Sequence, residues 1–167
     1  MEINYKEKLN DINAFIFDVD GVLTDGSLII SESGELLRTM NVKDGFAMKF
    51  AIDNGYKIGI ISGGTNESVR KRLNGLGIEE IHLKSHDKIV PFNNFLKKHN
   101  LKKENILVMG DDIPDIPIIK LAGIGCCPQD AVPEVKAVSN YISQKNGGKG
   151  CVRDVIEQVM KIQNKWI

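Results

Sequence analysis

Excess charge is the first thing this chain lacks: 22 lysines and arginines stand against 22 aspartates and glutamates, a formal net charge of +0. That balance argues against general nucleic-acid or anionic-membrane binding, which needs a basic surplus. Cysteine is scarce as well. There are 3, two of them adjacent at Cys126-Cys127, without the spacing of a disulfide framework or a zinc site. Reduced, buried thiols are expected at Cys126, Cys127 and Cys151, as in a cytoplasmic protein. Long apolar runs are missing too. The N-terminal stretch carries Glu2, Lys6, Glu7 and Lys8, and the first apolar run is far too short for a signal or spanning helix. Low-complexity segments, internal repeats and evident linkers are also absent. What remains is 167 residues, 42% hydrophobic and 26% charged, expected to form one globular domain over residues 1–167.

Within that length, strand-like apolar runs alternate with helical patterns. Strands are predicted at Ala14–Phe17, Lys57–Ile61, Glu80–Leu83, Ile106–Met109, Ile124–Cys127 and Asn140–Ser143. Helices are predicted at Asp44–Asn54, Glu67–Leu76, Ile89–His99 and Asp115–Ala122, with Gly55, Gly77 and Gly123 placed as left-handed caps. The alternation predicts an α/β fold, a doubly wound parallel sheet covered on both faces. One segment departs from it. Leu28-Ile29-Ile30 and Leu36–Met40 flank the polar turn Ser31-Glu32-Ser33-Gly34, which reads as a β-hairpin over about residues 27–42. Placed just after the first strand, such a hairpin can act as a flap over that strand's carboxyl end.

The densest chemistry lies there, at Asp18-Val19-Asp20-Gly21-Val22-Leu23-Thr24-Asp25-Gly26. Asp18 and Asp20 are separated by the strand period of two, so their side chains leave on the same side. Two carboxylates held that close call for a hard divalent cation. A calcium loop would continue with oxygen ligands, but Ser27 and Leu28 interrupt the series. A nucleophilic carboxylate beside one that carries a proton is the minimal equipment for phosphoryl transfer through an aspartyl-phosphate. A plain structural turn is the other reading of the motif by itself.

Three further stations sit at strand ends. Ser62-Gly63-Gly64 follows the second strand and offers a hydroxyl and free backbone N–H groups to a phosphate. Lys88 opens a helix, where the dipole disfavours a cation, so nearby anions explain it better, with a solvated surface lysine as the other reading. Gly110-Asp111-Asp112-Ile113-Pro114-Asp115 follows the fourth strand, and Asp111 can complete an oxygen shell begun by Asp18.

Asp18-x-Asp20-Gly-x-x-Thr24, then Ser62, Lys88 and Gly110-Asp111-Asp112-x-x-Asp115, resemble in order the four motifs of the haloacid dehalogenase-like phosphatase superfamily. The resemblance implies Asp18 as nucleophile, Asp20 as general acid and then base, and Ser62 with Gly63 as the phosphate cradle. It implies Lys88 as the charge-offsetting partner of Asp18. Mg²⁺ would be held by Asp18, Asp111 and the Asp20 backbone carbonyl, with Asp115 supporting that shell and Asp112 acting through water. Neither interval between motifs has room for a cap domain, so the resemblance points to the capless branch.

Within that branch the chain is most similar to 3-deoxy-D-manno-octulosonate (KDO) 8-phosphate phosphatases. The segments that carry this are Asn41-Val42-Lys43-Asp44-Gly45 and Gly147-Gly148-Lys149-Gly150-Cys151-Val152-Arg153-Asp154-Val155. The resemblance implies Mg²⁺-dependent release of phosphate from KDO 8-phosphate for lipopolysaccharide synthesis, by a cytoplasmic homotetramer whose hairpins pack together. Two departures touch the substrate. Gly64 stands where many relatives have arginine, and Lys84 where many have glycine. Arg72 and Lys84 are available cations for a substrate carboxylate, with plain surface charge as the other reading of both. A phosphatase for a nine-carbon sugar acid 9-phosphate stays open as the rival. Remoter alternatives are a receiver-like domain that stores a phosphoryl group and a non-catalytic protein on the same fold.

Overall fold

The computed structural model describes residues 4–167. The first three residues, Glu2 of the charged N-terminal stretch among them, lie outside the described residues. Helix α1 (Tyr5–Lys8) leads into β1 (Ala14–Phe17). The chain continues through β2 (Ile29–Ile30), β3 (Leu36–Leu37), α2 (Val42–Asp53), β4 (Lys57–Ile61), α3 (Glu67–Asn74) and β5 (Glu80–His82). It returns through α4 (Ile89–His99), β6 (Ile106–Met109), α5 (Ile116–Leu121), β7 (Ile124–Cys127), α6 (Pro133–Lys136), β8 (Tyr141–Ile142) and α7 (Cys151–Ile162). No helix among the described residues is long and apolar enough to cross a membrane.

Six strands form one parallel sheet in the order β5-β4-β1-β6-β7-β8. The chain winds outward from β1 through β4 to β5, then crosses back to β6 and winds outward the other way. That reversal opens a crevice at the carboxyl ends of β1 and β6, where open α/β sheets bind ligands. Alternation within each strand divides the core in two. Phe15, Phe17, Leu107 and Met109 face Met48 and Ala51 of α2 and Val155, Ile156 and Val159 of α7. Ala14, Ile16, Ile106 and Val108 face Phe92 and Phe95 of α4 and Ile118 and Ile119 of α5. Both faces of the central strands are therefore dry, as a parallel sheet requires.

The expected elements recur with shifted ends. The edge strands β5 and β8 are shorter than predicted, and α2 begins at Val42 because Asn41 caps it by accepting from the Lys43 N–H. Gly55 and Gly77 do have positive φ, 90° and 87°. Gly123 does not. A Cβ there would overlap the backbone of Glu104, so close approach, and not a left-handed cap, is its reason. The hairpin is present but small, with two residues in each strand. Its Ile29, Ile30, Leu36 and Leu37 are all exposed.

Candidate active site

The acidic loops and Ser62 are delivered by strand ends, and Lys88 by the start of α4. After Phe17, the Asp18 N–H donates to the Met109 carbonyl, so β1 holds its β6 pairing up to the acidic pair. The chain then turns through Val19–Leu23, with Gly21 at φ 84°. A Cβ on Gly21 would overlap the Asp111 carboxylate, so a side chain here would displace the acid opposite. Thr24 closes the turn from inside: its buried hydroxyl accepts from the Gly21 and Gly26 N–H groups. The Gly147-Gly148 segment packs against the same turn, and the Gly148 N–H donates to the Val22 carbonyl.

Lys88 is the pivot of the floor. Only 4% exposed, it lies 2.9 Å from Asp18 Oδ2 and 2.6 Å from Asp115 Oδ1. The second Asp115 oxygen accepts from the Asp111 N–H at 3.0 Å, which fixes the loop after β6. Carboxylate oxygens of Asp18, Asp111 and Asp115 come within 4.8 Å of one another. Burial and the Asp115 charge push Asp18 up to about 6, against the pull of Lys88. Burial, with Asp18, Asp115 and Asp112 close by, pushes Asp111 up to about 7. Burial works against the Lys88 ammonium, yet the two carboxylates outweigh it and the lysine is raised.

Ser62, 2% exposed, ends β4, and its Oγ accepts from the Gly64 N–H at 3.2 Å. Ser62, Gly63 and Gly64 share a cavity of about 410 Å³ with Asp18, Asp20, Lys88, Asp111, Asp112 and Asp115. The predicted catalytic, metal and phosphate residues thus meet in one place, with one exception. Arg72 is not brought there. It lies behind the hairpin in a separate cleft with Leu37, Met40 and Asn66. Lys84 does not line the cavity either; it adopts φ 58° beside it. Ser85 and His86 do line it.

Arg38 is the residue that sequence reasoning missed. It follows β3 and donates to both oxygens of Asp20, Nε to Oδ1 at 2.6 Å and Nη2 to Oδ2 at 2.9 Å. Only an arginine placed at the end of a strand of the alternating hairpin hinted at it.

The donor set fits a hard divalent cation. Asp111 Oδ1 is buried with no hydrogen-bond partner, a costly state for a carboxylate that a cation relieves. Five aspartates line the cavity with one lysine, so a phosphate dianion would be repelled without added positive charge. Asp115 has one oxygen on Lys88 and the other on the Asp111 N–H, and it is buried. Asp18 shares Lys88 and accepts from the Val19 N–H but is less buried, and Asp111 Oδ1 is the oxygen with no partner.

Residues 75–156 match the family model of the haloacid dehalogenase-like hydrolases. The 3-deoxy-D-manno-octulosonate 8-phosphate phosphatase KdsC of Escherichia coli K12 is 32% identical over 158 residues, 95% of this chain and 84% of its own length. The crystal structure of the Yersinia pestis 3-deoxy-D-manno-octulosonate 8-phosphate phosphatase superposes with a TM-score of 0.94 at 30% identity, over 96% of this chain and 86% of that one. The corresponding Moraxella catarrhalis enzyme, in complex with magnesium, phosphate and KDO, gives 0.92 at 33% identity, over 95% and 91%. No cap domain interrupts the described residues. The chain belongs to the haloacid dehalogenase-like hydrolase family, and it is a phosphoric monoester hydrolase.

Proposed function

We propose that this enzyme hydrolyses KDO 8-phosphate to KDO and inorganic phosphate. The observation that carries the reaction is the meeting of Asp18, Ser62, Lys88 and Asp111 in one cavity at the crevice between β1 and β6. Relatives matched over nearly the whole chain, one of them holding KDO, support the substrate. A cavity of about 410 Å³ suits a sugar acid of that size.

Asp18 attacks phosphorus with the oxygen that is free of the Val19 N–H, whose contact with Oδ1 fixes the carboxylate's rotation. A bond forms between that oxygen and phosphorus while the bond to the sugar oxygen breaks. Asp20 gives its proton to the departing alkoxide. Water then attacks phosphorus, Asp20 takes its proton, and the Asp18–phosphorus bond breaks to release phosphate. The Ser62 hydroxyl, which accepts from the Gly64 N–H and so turns its own proton outward, and the Gly63 N–H hold the phosphoryl oxygens. Lys88 keeps Asp18 oriented and offsets charge. Mg²⁺ would be held by Asp18, Asp111 and the Asp20 carbonyl, and when bound it neutralises charge on the transferring group.

A homotetramer that buries the exposed hairpins, a cytoplasmic location and a place in lipopolysaccharide synthesis complete the proposal. Its test is kcat/KM with Mg²⁺ for KDO 8-phosphate, a nine-carbon sugar acid 9-phosphate and p-nitrophenyl phosphate. The expected order puts KDO 8-phosphate first by at least about tenfold, because remote carboxylate contacts lower the barrier at phosphorus. Preference for the nine-carbon compound would overturn the substrate. Turnover that survives Asp18→Asn would overturn the mechanism.

A further inference from the structure

Asp20 must aim one oxygen at the leaving group and later at water, yet its carboxylate sits on a turn and is about a third exposed. Left alone, it would sample several rotamers. The structure supplies a restraint from an element remote in sequence. Arg38 grips both Asp20 oxygens in a two-pronged contact, the geometry in which guanidinium fixes direction as well as charge.

The guanidinium is itself fixed. Its side chain is only 7% exposed, and Nη1 donates to the Leu36 carbonyl at 3.0 Å. The same carbonyl accepts from Asn66 Nδ2 at 2.8 Å, and Asn66 caps α3. The hairpin foot, the helix start and the acid are therefore one connected unit. Gly64 closes it from the cavity side: a Cβ there would lie 3.5 Å from both Arg38 Nη2 and Asp20 Oδ2. A free surface cation would have neither the burial nor the second and third anchor.

We infer that Arg38 is a positioning residue, through which the hairpin foot orients the Asp20 carboxylate for proton transfer to the leaving group. This rests on the proposed role of Asp20 as the acid. During the first step the proton moves from Asp20 to the bridging oxygen as the phosphorus–oxygen bond breaks. Arg38 contacts the Asp20 carboxylate but neither phosphorus nor the bridging oxygen, and it acts by holding the donor in place. Its contribution therefore scales with how much the leaving group needs that proton. A sugar alkoxide needs it badly, and p-nitrophenolate leaves without it.

The experiment measures kcat/KM, which reports steps up to departure of the leaving group, in the Mg²⁺-loaded enzyme for KDO 8-phosphate and p-nitrophenyl phosphate. Asp20→Asn, Arg38→Met and Arg38→Lys are compared with the native chain, and thermal melting confirms that each is folded. For Arg38→Met the loss on KDO 8-phosphate is expected to reach roughly a hundredfold, the scale of a misplaced catalytic group, and to exceed the loss on p-nitrophenyl phosphate by at least about tenfold. Arg38→Lys, which keeps the charge without the fork, shows the same split in smaller measure. A split in Asp20→Asn with none in either folded Arg38 variant overturns the positioning role alone. No split in Asp20→Asn overturns the acid assignment and the inference with it.

Discussion

Lys88 and Asp115 are joined at 2.6 Å in the floor of the site, with side chains only 3% and 2% exposed. The same ammonium reaches Asp18, so a single buried cation joins the buried Asp115 to the partly exposed Asp18. Such a group is hard to remove.

Lys88→Met should therefore cost both activity and stability. Breaking a buried pair by deleting one partner costs about 3–5 kcal/mol, and in a chain of this length that lowers Tm by roughly 10 °C. Turnover should fall at least about a hundredfold, since the positive charge nearest the reacting carboxylate is gone. Calorimetry and steady-state kinetics at saturating Mg²⁺ check both. A normal Tm would mean that the two carboxylates do not depend on Lys88.

The acid cluster makes metal-free stability depend on pH in an unusual direction. Asp18 and Asp111 lie at about 6 and about 7, above the ordinary value of 3.8. The folded chain then holds more protons than the unfolded one between pH 4 and 7, approximately, so stability falls as pH rises through that window. Lys88, raised as it is, stays charged throughout and adds no slope. The metal-free protein should melt at a higher temperature near pH 5 than near pH 8, once neutralisation elsewhere is matched by a high-salt control. Added Mg²⁺ should raise Tm strongly near pH 8 and little near pH 5, where protons compete for the same oxygens. Equal Mg²⁺ shifts at both values would argue against these carboxylates as its ligands.

The hairpin carries Leu28, Ile29, Ile30, Leu36 and Leu37 on the surface, each at least 37% exposed, with Phe46 and Val42 of α2 exposed as well. Each such side chain is worth about 1.5–3 kcal/mol if it becomes buried, and contiguous apolar surface of this kind marks an interface. Light scattering is expected to report a tetramer for the native chain, and Ile30→Lys with Leu37→Glu a smaller species. A native monomer at micromolar concentration would refute the assembly.

Periodicity carried the frame of this fold into the sequence. Ile89, Phe92, Phe95 and Leu96 recur at helical spacing, and the observed α4 matches its predicted Ile89–His99. The four central strands also fall where their apolar runs lie, because strands buried on both faces have no polar alternation to confuse them. Helix α7 lies outside the expected helices although its spacing is helical: Val152, Val155, Ile156, Val159 and Met160 lie on one buried face. The strand-end acids are legible because a charged residue at the end of an apolar run is conspicuous, Ser62 because a glycine-rich turn follows it, and Lys88 because a cation stands at a helix start. Arg38 had no such context. Its partner Asp20 lies 18 residues earlier, and only the folded hairpin makes them neighbours. Arg72 failed in the converse way. Sequence supplied a free cation, but its place on α3 directs it to the cleft behind the hairpin, against Gly45.

Gly147 offers a test of how the C-terminal half supports the catalytic turn. Its N–H donates to Asp130 Oδ1 at 2.9 Å, and a Cβ on it would overlap the Gly21 carbonyl and crowd that of Thr24. Both neighbours are backbone, so neither can rotate away, and the turn holding Asp18 and Asp20 would have to shift. Overpacking of this kind costs about 1–3 kcal/mol, which predicts a Tm lower by several degrees for Gly147→Ala. The larger effect should be on kcat. A displacement of about 1 Å at a reacting group can cost a hundredfold, so a loss between roughly tenfold and a hundredfold is expected with substrate and Mg²⁺ saturating. The same variant should lose activity on p-nitrophenyl phosphate as well, because the displaced turn carries the nucleophile and not only the acid. That distinguishes it from Arg38→Met, whose deficit depends on the leaving group. A Gly147→Ala enzyme with native kcat would show that the turn keeps its shape without the glycine against it.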